Sequence, residues 1–236
     1  LVVWPESAAG DTENDTLALF QARAVVERAG VPVLFGSSSS KRDRAGHNLA
    51  FLMKPGEALG PPYRKVRLVP FAEIAPRGLP RDIGPRMFDT VPGDARIALD
   101  LGPTKVEPLI CFESLFADDV RATASDAPSI IAVLANDAWF GESAAPALHN
   151  LAGVFRAVEN RRPVAIASNG GPSEIIDANG RVVARTGQLE PGVASATVRV
   201  DAPPGPYRRL GDRVGAATCA ALVALGLIVG KRRSSR

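Results

Sequence analysis

The sequence predicts a layered α/β domain followed by one apolar helix, and three observations predict it. Short apolar runs alternate with segments of helical periodicity along residues 1–207. Reactive side chains stand immediately after several of those runs, where open α/β sheets place their ligands. Finally, residues 214–230 form a run of 17 without a charge.

The elements follow in chain order. Residues 1–4 and 31–36 are short apolar runs, and Thr16–Ala29 between them places Leu17, Phe20, Ala24 and Val25 on one helical face, which predicts a β-α-β unit. Residues 48–53 and 67–71 read as strands around a Gly/Pro loop, and 106–110 and 130–135 as buried strands. The segment CFESLFADDVRA after the third of these runs predicts a helix beginning at Cys111. Residues 148–160 have helical spacing at Leu148, Leu151, Ala152, Phe155 and Val158. A strand at 164–168 follows, then a hairpin over 174–185 turned at Asn179-Gly180. Residues 203–206 are a Pro-rich linker, so the predicted units are a catalytic domain over 1–207 and an apolar helix with a basic tail over 208–236.

At 236 residues, with 46% hydrophobic and 22% charged, the chain can bury a real core, which excludes a disordered or miniature scaffold. The formal charge is +3, but residues from Arg208 onward carry +6, so the first 207 carry −3. That domain lacks the electrostatic footprint of a nucleic-acid binder, which excludes nucleic acid as a partner. The uncharged run is fenced by Arg208, Arg209 and Arg213 before it and by Lys231, Arg232 and Arg233 after it. Length and flanks together predict a membrane span rather than a buried core helix. Counting basic residues on the two sides places its C-terminus in the cytoplasm and the domain outside it. The first residue is Leu1 rather than Met and no signal peptide precedes the first strand, so a processed chain or a fragment is expected.

Four side chains could carry chemistry. Glu6 follows the run LVVWP, so a carboxylate emerges directly after a strand; by itself it reads more often as a solvated helix or loop group. Cys111 ends the run EPLIC at a strand-to-helix elbow, where backbone N–H groups favour a thiolate, although a cysteine after an apolar strand also serves as a small core residue. Its partner must be a base. His47 and His149 have no evident link to it, and His149 reads as a capping or surface residue, which leaves Glu6. Lys65 stands eight residues before Glu73 in YRKVRLVPFAE; an ammonium between carboxylates stays charged and can stabilise an oxyanion, but taken alone, with Arg64 and Arg67 beside it, the segment reads rather as an exposed basic loop. Cys219 lies within the apolar run, and neither cysteine has the spacing of a disulfide or a metal site.

The segments WPE, YRKVRLVPFAE and ICFES, in this order, resemble the Glu-Lys-Cys signature of the nitrilase (carbon-nitrogen hydrolase) superfamily. HNLAFLMKPG, NDAWFG, RAVENRRPV and SNGGPSEIIDANGRVV are similar to segments of its apolipoprotein N-acyltransferase branch, so the resemblance covers nearly the whole chain. It implies a four-layer αββα nitrilase-like sandwich followed by one C-terminal transmembrane helix, with the first strand and helix and a preceding bundle of membrane helices missing. It also implies Glu6 as general base, Lys65 as oxyanion-stabilising lysine, Cys111 as nucleophile and Glu73 as a supporting glutamate. Phe112 and Glu113 match the positions beside the nucleophile, and Asn136 and Trp139 of NDAWFG match substrate-binding positions. Phe112 replaces a common Tyr and Ala72 a common Gly, departures that touch substrate contacts more than the reaction. The implied activity is transfer of a fatty acyl group from a phospholipid, through a Cys111 thioester, to the N-terminal diacylglyceryl-cysteine of lipoproteins at the bacterial plasma membrane, without metal or cofactor. The alternatives are a membrane-tethered amidase or nitrilase using water, and a silent scaffold that binds partners.

Overall fold

The computed structural model describes residues 1–41, 44–74, 90–123 and 126–234. Strands β1 (Val2–Val3), β2 (Val33–Lys41), β3 (Arg44–Met53) and β4 (Tyr63–Arg64) form one sheet in that order. The second sheet contains β5 (Leu99–Asp100), β6 (Lys105–Ile110), β7 (Ser129–Asn136), β8 (Val164–Asn169), β9 (Glu174–Ile176) and β10 (Val182–Arg185), with β6, β7 and β8 parallel at its centre. Helix α1 (Thr16–Ala29) belongs to the first sheet; α2 (Ala117–Thr123) and α3 (Ala145–Asn160) belong to the second.

Side chains on a strand alternate between faces, and that alternation sorts the core into three slabs. Val33, Phe35, Leu49, Phe51 and Met53 pack with Ala22 and Val26 of α1. From the opposite face of the same strands, Leu34 and Ala50 join Tyr63 and meet Val106, Ile110, Ala132 and Leu134 of the second sheet. The outward face of that sheet, Leu109, Ile131, Val133, Val164 and Ile166, packs with Val120 of α2 and Ala157 of α3. Helix, sheet, sheet, helix is therefore the layer order, a nitrilase-like α/β sandwich.

Three expectations are corrected here. Thr16–Ala29 forms as expected, capped by Asp15, which accepts from the Leu17 and Ala18 N–H groups, and closed by Gly30 at φ 64°. Its buried positions are nevertheless Ala22 and Val26, while Leu17, Phe20 and Val25 are exposed. The second helix behaves the same way: Leu148, Leu151, Phe155 and Val158 face outward, and Asn150, Gly153, Arg156, Ala157 and Asn160 are buried. Close approach selects this face, since a Cβ on Gly153 would lie 2.8 Å from Ile166 Cδ1. The buried polar groups are bonded in place, with Arg156 donating to the Ser114 carbonyl at 3.1 Å and Asn150 to the Pro172 carbonyl at 2.8 Å. Second, no strand forms over 67–71; the short strand is Tyr63–Arg64, and the chain then loops through residues 65–74. Third, the expected helix at Cys111 divides into a 3-10 turn, Cys111–Leu115, and α2.

Beyond the domain, α4 (Pro206–Leu210) packs on α3 and α5 runs as one helix over Arg213–Ser234. Its residues 215–225 are all exposed. Among the described residues no helix is long and apolar enough to cross a membrane. Of the expected span over 214–230, the side chains at 214 and 226–230 lie outside the described residues.

Candidate active site

The site lies where β1, β4, β6 and β7 end. Glu6 follows β1 across β2, and this crossing depends on Gly36: a Cβ there would lie 2.5 Å from the Pro5 carbonyl oxygen and 2.6 Å from Glu6 Cα. The backbone is tied at the same point, with Gly36 N–H donating to the Pro5 carbonyl at 3.2 Å. Lys65 follows β4, its N–H donating to the Asn48 carbonyl at 2.9 Å and its own carbonyl accepting from Gly93 at 2.8 Å. Its ammonium is buried, 3.3 Å from Glu6 Oε1 and 2.9 Å from Glu73. Asn48 Nδ2 donates to both carboxylates, at 2.6 Å to Glu6 and 3.1 Å to Glu73, and Val69 N–H holds the far oxygen of Glu73 at 2.8 Å. Burial opposes the Lys65 charge, but the two carboxylates outweigh it and hold its pKa above the ordinary lysine value.

Cys111 sits at the elbow leaving β6, with φ at 50°. Two residues on, Glu113 is completely buried and its carboxylate organises the elbow and the lysine loop together. It accepts from Ile110 N–H at 2.9 Å, from Val66 N–H at 2.9 Å, from Arg67 N–H at 3.0 Å and from Tyr63 Oη at 2.8 Å, and it pairs with Arg96 at 3.3 Å. These bonds explain the missing strand at 67–71: its first donors are consumed by a side chain from the opposite sheet. Phe112 packs edge-on to Phe116, whose ring also lies under the Arg67 guanidinium at 4.4 Å. Arg67 and Arg96 both pair with Asp119, which ties the loop to α2.

The thiol of Cys111 is pushed up to about 12, by burial first and by the Glu6 carboxylate second, while Lys65 and the Asn136 backbone N–H draw it down. The resting group is therefore a neutral thiol beside a carboxylate, an arrangement that can pass a proton from sulfur to Glu6 as the sulfur attacks. An opposed pair of effects follows from the signs. Glu6→Gln removes a charge that raises the thiol, so Cys111 should carboxymethylate several-fold faster with iodoacetate at pH 7, while any turnover that uses Glu6 as the base should fall by about 10²–10⁴. Peptide-resolved mass spectrometry reads the first and substrate turnover the second; slower alkylation in Glu6→Gln would overturn the electrostatic account.

Asn136 presents its backbone to the sulfur, and its side chain accepts from Asn169 Nδ2 at 3.2 Å. Trp139 stands exposed three residues further on, beside exposed Phe140. The reading of His149 as a capping or surface residue is corrected: it is half-buried beside Cys111, with Asp137 at 2.8 Å from Nδ1 and the Cys111 carbonyl at 3.1 Å from Nε2. The fold brings it there by laying the second turn of α3 across the ends of β6 and β7. His47, by contrast, bonds the Val91 carbonyl at 2.9 Å. Donor atoms of Cys111, Asp137 and His149 lie within 4.8 Å of one another. Both ring nitrogens of His149 already face oxygen acceptors, and Asp137 also accepts from Ser168 at 2.7 Å, so these groups form a hydrogen-bond chain rather than a ligand set.

Sequence reasoning missed Asn48, Gly36 and the Asp137–His149 pair. Asn48 and His149 lie in apolar segments whose periodicity carries no mark of a polar destination.

Residues 1–202 match the carbon-nitrogen hydrolase family. The chain belongs to the carbon-nitrogen hydrolase family. Among curated carbon-nitrogen hydrolase relatives, an apolipoprotein N-acyltransferase from Geobacter metallireducens is 34% identical over 244 residues, covering 100% of this chain and 46% of its own length. Another, from Rhodopseudomonas palustris, is 32% identical over 248 residues, covering 98% of this chain and 45% of its own. The chain thus spans about half the length of the curated relatives it matches. A solved cysteine-to-serine mutant of the Nesterenkonia AN1 amidase from the nitrilase superfamily superposes with a TM-score of 0.61 at 20% identity, covering 85% of this chain and 77% of that one, a likeness of fold.

Proposed function

We propose that this carbon-nitrogen hydrolase is the catalytic part of an N-acyltransferase that moves a fatty acyl group from a phospholipid to the α-amino group of the N-terminal diacylglyceryl-cysteine of lipoproteins. Glu6 takes the Cys111 proton as the sulfur attacks the ester carbonyl, and Lys65 stabilises the tetrahedral oxyanion. Collapse expels the lysophospholipid oxygen, which takes the proton from Glu6, and leaves an acyl thioester. The lipoprotein amine then attacks the thioester carbonyl, Glu6 removes the amine proton, and the amide departs as Cys111 recovers its proton. Glu73 and Asn48 keep Glu6 and Lys65 in register.

The observation that carries the lipid reading is the exposure of large apolar side chains close in sequence to the residues of the site. Phe71 is 72% exposed and Trp139 59%, with exposed Ile74 and Phe140 next to them in sequence. Phe71 is held at φ 68°, in a region a bulky residue rarely adopts, by a turn whose N–H donates to the Ile74 carbonyl at 2.8 Å. Exposed aromatics two residues before Glu73 and three residues after Asn136 suit acyl chains rather than small amides. In this reading the exposed helix α5, fenced by basic residues, anchors the domain in the bacterial plasma membrane with the site on the extracytoplasmic side.

The test is the fate of the acyl group. Phospholipid without acceptor should leave a hydroxylamine-sensitive thioester on Cys111, because a site built for an amine must keep water from the intermediate. A diacylglyceryl peptide with a free cysteine amine should discharge it. Cys111→Ala should carry no label and Cys219→Ala should label normally, as read by intact-protein mass spectrometry. An adduct formed only from small amides and lost rapidly to water would replace the transferase with a hydrolase.

A further inference from the structure

An imidazole and a carboxylate lie paired beside Cys111, and no step above uses them. His149 Nδ1 is 2.8 Å from Asp137 Oδ1, and Nε2 is 3.1 Å from the Cys111 carbonyl oxygen and 3.0 Å from Ser114 Oγ. A carboxylate can only accept, so Nδ1 carries a proton; Nε2 either carries one too and donates to the Cys111 carbonyl, or accepts from the Ser114 hydroxyl. Asp137 is completely buried on its side chain and its other oxygen accepts from Ser168 Oγ at 2.7 Å. Cys111 meanwhile holds φ at 50°, a conformation that is strained for a residue with a Cβ and persists only where its surroundings enforce it.

We propose that His149 is a positioning residue: doubly protonated, it ties the Cys111 carbonyl to buried Asp137 and so holds the nucleophile's elbow in its left-handed conformation. The inference rests on the reading of Cys111 as nucleophile and adds a part to it. The groups facing the ring are Asp137 from the end of β7, Cys111 and Ser114 from the elbow, and the Glu6 carboxylate from the other sheet. On its own helix Arg156 is turned away, paired to Glu159. Burial opposes the imidazolium, but the hydrogen bond and charge of Asp137 outweigh it, so the ring titrates above the ordinary histidine value. Loss of the proton has a defined structural result. Asp137 retains the Nδ1–H, Nε2 becomes an acceptor, the Ser114 hydroxyl rotates to donate to it, and the Cys111 carbonyl loses its donor.

The sign follows from linkage. A raised pKa means that the constraint is present in full at and below the ordinary histidine range and is lost as the pH rises through the folded value.

The test needs neither acyl donor nor acceptor, so it is independent of the transferase reading. The chain has two histidines, so ¹⁵N-histidine NMR of the full chain, with His47→Gln for assignment, reads His149 directly. The expected spectrum at neutral pH is that of an imidazolium protonated on both nitrogens and titrating above the ordinary histidine range. Asp137→Asn should lower that titration, and Ser114→Ala should raise it, because the neutral ring loses its replacement donor. Iodoacetamide labelling of Cys111 across pH gives the functional readout. In the wild type the logarithm of the rate should climb with unit slope and flatten where His149 titrates. In His149→Gln it should run on the order of tenfold lower below that pH, with no bend, the size expected for releasing the elbow strain. A neutral single tautomer at pH 7, a Ser114→Ala shift of the wrong sign, or a His149→Gln profile that matches the wild type would each overturn the proposal. The wild-type and Ser114→Ala spectra decide it even if His149→Gln does not fold.

Discussion

Replacing Lys65 by Arg should cost on the order of 10²–10³ in the rate of Cys111 acylation, as removal of an oxyanion donor does, and nearly as much as Lys65→Ala. The two substitutions fail for different reasons. Alanine leaves the Glu6 and Glu73 carboxylates facing one another without their cation. Arginine keeps the charge, but Lys65 is 1% exposed and its ammonium lies between oxygens at 3.3 Å and 2.9 Å, so a wider planar guanidinium cannot occupy the same point. Single-turnover loading of Cys111 from an activated ester isolates this step from acceptor binding. Near-normal loading by Lys65→Arg would demote the residue to a structural charge. The pH dependence has a fixed sign as well: the Lys65 pKa is raised, so its stabilising contribution is complete through the neutral range and fades only above the ordinary lysine value.

Glu113→Ala should destabilise the domain by about 3–5 kcal/mol, the scale for breaking a buried charge pair. The carboxylate is completely buried and satisfies donors from three segments: Tyr63 and the Val66 and Arg67 amides, the Ile110 amide, and the Arg96 guanidinium. Each would be left without its acceptor in a space that water cannot readily fill. Glu113→Gln should cost less but still weaken the elbow, since its amide group can accept with one end only. Urea unfolding measures both. A loss under about 1 kcal/mol in Glu113→Ala would show that the donors find other partners, contrary to the shared-acceptor account.

Glu113 also shows where reading the sequence stopped. Its position beside Cys111 marked it for a place near the nucleophile, and it is there. That its carboxylate turns inward and fastens the lysine loop depends on contacts 46 and 47 residues apart, to Arg67 and Val66. The 67–71 segment has the composition of a strand, but its leading amides meet that carboxylate instead of a neighbouring strand. Local propensity competes with tertiary partners, and here the buried charge prevails.

By itself the sequence determined the order of the longer strands and helices, though not β4 at Tyr63–Arg64 or β5 at Leu99–Asp100, because alternation and helical period are local properties set by which side chains must leave water. It also picked out Glu6, Lys65, Glu73 and Cys111 as a group through the motifs that flank them, and the fold brings Glu6 and Glu73 to Lys65 and Glu6 beside Cys111. Only the tertiary structure decided which face of each long helix is buried. Apolar content favoured Leu148, Leu151, Phe155 and Val158, yet α3 turns Gly153 and Ala157 inward, because close backbone approach and bonded polar groups can outweigh the area of a large side chain. The same packing carried His149 to the Cys111 carbonyl. Such a contact joins positions 38 residues apart, and no local period encodes it.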